Sequence, residues 1–306
     1  MIRRTALAPL LALLFLGACQ EPFASEGDKP QVVATTTQVG QIAAELGGSD
    51  IQLTTLLSPG VEAHDFEMTP DRAGAVERAD VILKSGAGLE SWLDDALETL
   101  GGADRVRDMS EGVQTRTFVE EGVEETDPHY WLSAPNAVRM VNNVRDALSE
   151  AVPNAAIRIA ERADAYVARL QTADAEIRDL IADIPEDARG IVTNHDALGY
   201  FIAEYRLRFV GSIFPSLDVS AEPDPGQLAE LADTIRTEGV KAIFAESAVN
   251  PALSEAIAEE TGAQVVDEVL YTDSLGPPGS GADTLDGMLI HDATVIHDAL
   301  TAGAGG

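Results

Sequence analysis

The chain has 306 residues, enough for one large or two medium domains with a substantial core. Hydrophobic residues make up 45% and charged residues 24%, as in a soluble globular protein, but 52 acidic against 20 basic side chains leave a net charge of −32. That field excludes nucleic acid and anionic membrane surfaces as partners, because phosphate recognition needs a basic footprint; it gathers cations instead, and much of it serves only solubility.

In chain order, Arg3 and Arg4 precede the apolar run Ala6–Ala18, too short to span a bilayer comfortably, so residues 1–18 read as a secretion signal. The run ends in "LGAC", which resembles a bacterial lipobox. That resemblance implies cleavage before Cys19 and lipid attachment to its sulfur, with an ordinary secretion signal as the alternative. Cys19 is the one cysteine, so the fold stands on packing without disulfides. The expected location is outside the cytoplasmic membrane, on the periplasmic or cell-surface side, anchored through Cys19. Residues 19–30, polar and flanked by prolines, read as a flexible tether.

A βα rhythm then begins. "QVVATTT" from Gln31, "IQLTTLL" from Ile51, "DVILKSG" from Asp80 and "DRVRDM" from Asp104 read as strands. Gln38–Leu46, Pro70–Arg78 and Leu89–Leu100 read as the intervening helices, the first closed by Gly47 and Gly48. From Asn154 to Ile184 no glycine or proline intervenes, and Ile159, Ala163, Tyr166, Leu170, Ala173, Ile177 and Leu180 recur at fours and threes, predicting one long helix. The rhythm resumes with strands at Arg189–Asn194, Leu207–Phe214, Lys241–Glu246 and Ala263–Glu268. Helices are expected near Leu198–Tyr205, Pro225–Glu238, Pro251–Glu260 and Leu285–Leu300. The expected fold is α/β: two Rossmann-like lobes with parallel sheets, residues 31–152 and 186–306, joined by one long rigid helix over 153–185.

Three of the five histidines follow strand ends, where parallel sheets place their crevices: His64, His129 and His195. Taken singly each is an ordinary loop histidine, and no local HExxH or CxxC pattern links them. His291 and His297 lie six apart on the last helix, off a common face, and read as surface or packing residues.

The segments "SPGVEAHDFEMTPD", "DPHYWLSAPNAVRM", "VTNHDALGYF" and "YTDSLG", in that order, make the mature chain resemble the zinc/manganese-type metal-binding lipoproteins, the periplasmic solute-binding proteins of bacterial ABC importers. The resemblance implies a metal site between the lobes with His64, His129, His195 and Asp273 as ligands, a set that suits four-coordinate Zn²⁺. It implies a monomeric receptor, not an enzyme, delivering Zn²⁺ to an ABC transporter permease. Mn²⁺ is the alternative cargo, although relatives with glutamate at the third position look like the manganese receptors and here it is His195. Glu246 and Asp65 are candidates to orient the ligands, with Asp127 and Pro128 shaping the turn before His129 and Tyr130 and Trp131 packing against it. The acidic stretch 118–126 replaces the histidine-rich loop that zinc members often carry and reads as a solvated turn. The glycine- and proline-rich stretch 272–283 is expected to order when Asp273 engages metal and to loosen for release. A secreted zinc hydrolase and an adhesin with a structural metal are the distant alternatives.

Overall fold

Alternating side chains place the first strand, β1 (Gln31–Ala34), at the centre of a sheet covered on both faces. Val32 and Ala34 turn toward one helical layer and Val33 toward the other, the period of two that a doubly covered strand requires. With β2 (Gln52–Thr55), β3 (Val81–Lys84) and β4 (Val106–Asp108) it forms a parallel sheet of order β2-β1-β3-β4. Three helices connect these strands: α1 (Thr37–Gly47), α2 (Pro70–Arg78) and α3 (Ser91–Leu100). The Thr36 hydroxyl accepts the Val39 N–H to start α1, and Pro70 stands in the first turn of α2, where its missing N–H costs nothing. The computed structural model describes residues 29–64, 66–120, 123–214, 216, 223–247 and 250–302. The leader, Cys19, most of the tether and Asp65 lie outside them.

Between that sheet and the first helical pair comes an element that differs from expectation. Thr117–Glu120 (β5) pairs antiparallel with Val123–Thr126 (β6), so the acidic stretch is a two-stranded ribbon and not a turn. Asp127 N–H donates to the Arg116 carbonyl at 3.0 Å and closes its base. Next, α4 (Ala134–Ala151) runs back against α5 (Ala156–Asp183), the two separated by a 3₁₀ turn at Pro153–Ala155. Helix α5 has 28 residues, about 42 Å at 1.5 Å per residue. Its stripe is buried as spaced from Ile159 to Ile177, but the next buried residue is Ile181, and Leu180 is half-exposed. A straight helix turns every 3.6 residues, so a stripe extrapolated at 3.5 drifts off the buried face after a few turns.

The second lobe repeats the first. β7 (Gly190–His195) pairs parallel with β8 (Arg208–Phe214), and β9 (Ala242–Ile243) with β10 (Gln264–Val265). A single parallel bridge between Thr193 and Phe244 joins the pairs, giving the order β8-β7-β9-β10, the same topology as the first sheet. α6 (Gly199–Tyr205), α7 (Pro225–Glu238) and α8 (Ala252–Thr261) connect these strands, and α9 (Leu285–Thr301) ends the described chain. β9 and β10 are shorter than the apolar runs predict, because beyond Ile243 the chain holds its neighbours only through bridges at Phe244 and Glu246.

Helices α1, α4, α5 and α9 share one continuous apolar core with the inner faces of both lobes, while α2 and α3, and α7 and α8, cover smaller outer clusters. The long helix therefore does not join the lobes alone. On α5, Arg169 holds Glu45 of α1 at 2.6 Å and Asp286 of α9 at 3.1 Å. The Tyr166 hydroxyl bonds Gln41 of α1 and accepts the Leu285 N–H at 3.3 Å. Among the described residues no helix is long and apolar enough to cross a membrane. The burial pattern predicts that Ile181→Ala lowers the unfolding free energy by about 2–5 kcal/mol. Leu180→Ala should cost less than half as much, as urea denaturation of the two variants will show.

Candidate metal centre

Four side chains converge where the carboxyl ends of the two sheets face each other. His64 lies in the loop after β2, His129 three residues beyond the ribbon, and His195 is the last residue of β7. Asp273 follows the bridge at Leu270. Ligand-type atoms of His64, His129 and Asp273 all lie within 4.8 Å of one another. The Nε2 atoms of His64 and His129 are 3.2 Å apart, and His129 Nε2 is 3.1 Å from Asp273 Oδ1. His195 Nε2 approaches the other oxygen, Oδ2, at 3.3 Å. The side chains of His129, His195 and Asp273 are wholly buried, and His64 is half-buried at the edge. Neither oxygen of Asp273 and neither ring nitrogen of His195 has a hydrogen bond of good geometry among the described residues. Short, misaligned contacts of this kind belong to groups aimed at a common point and not at each other.

Each buried imidazole is gripped from behind by a carboxylate. Asp127 Oδ1 accepts the His129 backbone N–H at 3.0 Å and lies 2.8 Å from its Nδ1. Glu246 Oε1 accepts the His195 backbone N–H at 3.1 Å while Oε2 stands 2.8 Å from Nδ1. A carboxylate beside each Nδ1, bonded to it at His129 and 2.8 Å away at His195, leaves Nε2 as the nitrogen facing the cluster, as outer partners do for metal-binding histidines. Pro128 separates Asp127 from His129 as the turn requires, and Tyr130 and Trp131 are buried beside it. The Tyr130 hydroxyl donates to the Ser85 carbonyl at 2.8 Å, and the Trp131 indole donates to the Thr272 carbonyl at 2.8 Å.

The Asp273 stretch is held from both lobes. Tyr271 N–H donates to Asp292 of α9 at 3.0 Å, the Thr272 hydroxyl to Glu246 at 2.7 Å, and Leu275 N–H to Thr37 of α1 at 2.9 Å. Only the distal part, Pro277–Gly281, is exposed.

Burial opposes charge on every group here, yet the pairs overcome it. Burial would lower the His129 pKa, but Asp127 and Asp273 raise it to about 9. His195 is likewise held well above the usual histidine range, by Glu246 and Asp273 against its burial. The two imidazoles in turn outweigh the burial of Asp273 and hold its carboxyl well below the usual carboxylate range. Glu62 goes the other way: burial, reinforced by the charge of Asp273, pushes it up to about 7.

Of the four predicted site residues, His64, His129 and Asp273 form one close cluster and His195 adjoins it through the second Asp273 oxygen; Glu246 stands behind His195, and Asp65 lies outside the described residues. His291 meets the Val269 carbonyl at 3.0 Å and His297 meets Asp183 at 3.1 Å, both away from this cluster. Two further carboxylates belong to the site: Glu62, whose Oε1 accepts the His64 N–H at 3.0 Å and whose Oε2 is buried without a hydrogen bond among the described residues, and Asp127, which holds His129 as well as shaping the turn. The signal was present: "EAH" and "DPH" both place an acid two residues before a histidine, and both acids accept that histidine's N–H.

A sequence profile of the family described as zinc-uptake complex component A, periplasmic (ZnuA), matches residues 32–299. The manganese-binding lipoprotein MntA of Bacillus subtilis (strain 168) is 32% identical over 300 residues, covering 96% of this chain and 97% of that protein. The iron-binding protein YfeA of Yersinia pestis is 30% identical over 253 residues, 81% of this chain and 78% of its own. The solved structure of the periplasmic zinc-binding protein TroA from Treponema pallidum superposes with a TM-score of 0.83 at 28% identity, covering 89% of this chain and 99% of that one.

The charge pattern sets a pH dependence for the metal-free protein. His129 binds its proton more tightly folded (about 9) than unfolded (6.5), so its ion pairs stabilise the fold fully below pH 6.5, and that stabilisation is lost as pH rises through 9. Melting followed by circular dichroism in chelator should therefore fall between pH 6.5 and 9, and Asp127→Asn should reduce that fall.

Proposed function

The chain belongs to the ZnuA family, metal-binding substrate receptors of ABC importers rather than enzymes, and from that premise we propose that it captures Zn²⁺ through His64, His129, His195 and Asp273. It then passes the ion to a membrane permease. The observation that carries this reading is the spacing of the four groups. A tetrahedral shell with bonds of about 2.0–2.1 Å sets its ligand atoms roughly 3.3 Å apart. His129 Nε2 lies 3.2 Å from His64 Nε2 and 3.1 Å from Asp273 Oδ1, while His195 Nε2 lies 3.3 Å from the other Asp273 oxygen. Three imidazoles and one carboxylate fill four positions with protein atoms, leaving no bound water to activate, which suits carriage.

His64 and His129 come from the lobe spanning 31–152, and His195 and Asp273 from the lobe spanning 186–306, so the ion closes the seam between them. The repeated strand order supports that division. Cys19 would carry the lipid that keeps a monomeric receptor at the membrane. Release proceeds by loosening of the stretch after Asp273, beginning at its exposed part, Pro277–Gly281. Equal hydrogen exchange of residues 272–283 in loaded and metal-free protein would overturn that step.

Manganese is the second reading. Relatives carry manganese and iron in their names, and Glu62 holds a buried oxygen beside the cluster that has no hydrogen bond among the described residues. Added carboxylate oxygens suit a harder ion.

Competitive titration of zinc against manganese on protein beginning after Cys19 separates the two. Zinc should bind more tightly than manganese, and Glu62→Gln should weaken manganese more than zinc. His195→Ala should lower zinc affinity by more than the roughly 10–100-fold typical of losing an outer partner. Unchanged zinc affinity in His195→Ala would remove the third ligand from the proposal. Zinc affinity should also drop from pH 7.5 to 5, as protons compete for the three imidazoles.

A further inference from the structure

One cation reaches the centre from the surface. Arg116, immediately before β5, has a half-exposed side chain whose Nη1 lies 3.0 Å from Asp127 Oδ2, immediately after β6. The Asp127 side chain is 3% exposed, and its other oxygen is already committed to His129. A continuous run of charged contacts therefore leads from solvent through Arg116 and Asp127 to His129.

The opposite lobe supplies the seat for this guanidinium. The Tyr200 hydroxyl accepts the Arg116 backbone N–H at 2.9 Å and donates to the Asp127 carbonyl at 2.7 Å, and the guanidinium lies over its ring at 5.4 Å. Beside it, Gly199 leaves the space the guanidinium fills: a Cβ there would stand 1.4 Å from Arg116 Nη1. The backbone of Gly199 is helical, so the absent side chain answers to space and not to an unusual φ. His195 lies four residues earlier on the same segment.

The two histidine–carboxylate pairs differ at this point. Behind His195, Glu246 receives the Thr272 hydroxyl. Behind His129, Asp127 receives a guanidinium, which fixes both the rotamer of the carboxylate and the share of its charge left for the imidazole. Arg116 is half-exposed, so its removal leaves one oxygen of Asp127 open to water at the surface end of the pair, Asp127 is free to turn, and His129 loses its fixed direction.

We propose that Arg116 is a positioning residue for metal capture: seated against Gly199 and Tyr200 of the opposite lobe, it locks Asp127 onto His129 and thereby sets how long the ion is held. This rests on His129 being a ligand. Four variants, R116A, R116K, G199A and H129A, separate the two claims in zinc competition titrations, stopped-flow release into chelator and melting of the metal-free protein. R116A and G199A, altered in different lobes, should each lose roughly 10–100-fold in affinity, mainly through faster release. R116K should recover part of the loss, and metal-free melting should stay near that of the unaltered chain. G199A keeps every polar group and carries the test if R116A does not fold.

Unaltered affinity in R116A or G199A, with binding lost in H129A, overturns the proposal and leaves the site assignment standing. An affinity loss that follows a lowered metal-free melting temperature and resists rescue by R116K overturns it as well. Retained affinity in H129A removes the site assignment itself, and this proposal with it.

Discussion

Asp273 is a carboxylate removed from water at the meeting of two lobes, with an imidazole from each lobe within 3.3 Å. A bare charge in such a place is costly unless opposite charge surrounds it. Asp127 and Asp273 favour the charged form of His129, and Glu246 and Asp273 that of His195, against the burial of both rings. A divalent ion that displaces two protons leaves the total charge of the buried cluster unchanged.

The framework around this cluster limits how it can open. Arg169 and Tyr166 tie α5 to α1 on one side and to α9 on the other, and α9 begins where the Asp273 stretch ends. The same stretch is bonded to Glu246 and Asp292 of its own lobe, and to Trp131 and Thr37 of the other. Wide hinge motion would break the bonds to Trp131 and Thr37 together, whereas displacement of the exposed Pro277–Gly281 segment breaks neither. Local change near one ligand is the cheaper route.

The parallel strands were legible because β-branched runs alternate with amphipathic stretches, and α2 and α7 begin and end where their first-turn prolines and flanking residues place them. The ribbon at 117–126 was not, since glutamates carry little strand propensity and its pairing is made by partners across the ribbon. The convergence of the three histidines and Asp273 was legible through four ordered segments. The grip of Arg116 on Asp127 and its seat at Gly199 were not, because no local pattern announces a contact between residues so distant in the chain.

The core shared by α1, α4, α5 and α9 has a further implication, for autonomy. Neither half owns its interior: each supplies one wall of a common apolar chamber, and only the thin outer clusters beneath α2 and α3 or α7 and α8 are private. A fragment encoding one half would carry its wall into water and tend to associate or be degraded. The repeated topology describes two modules, but the shared interior makes them one folding unit.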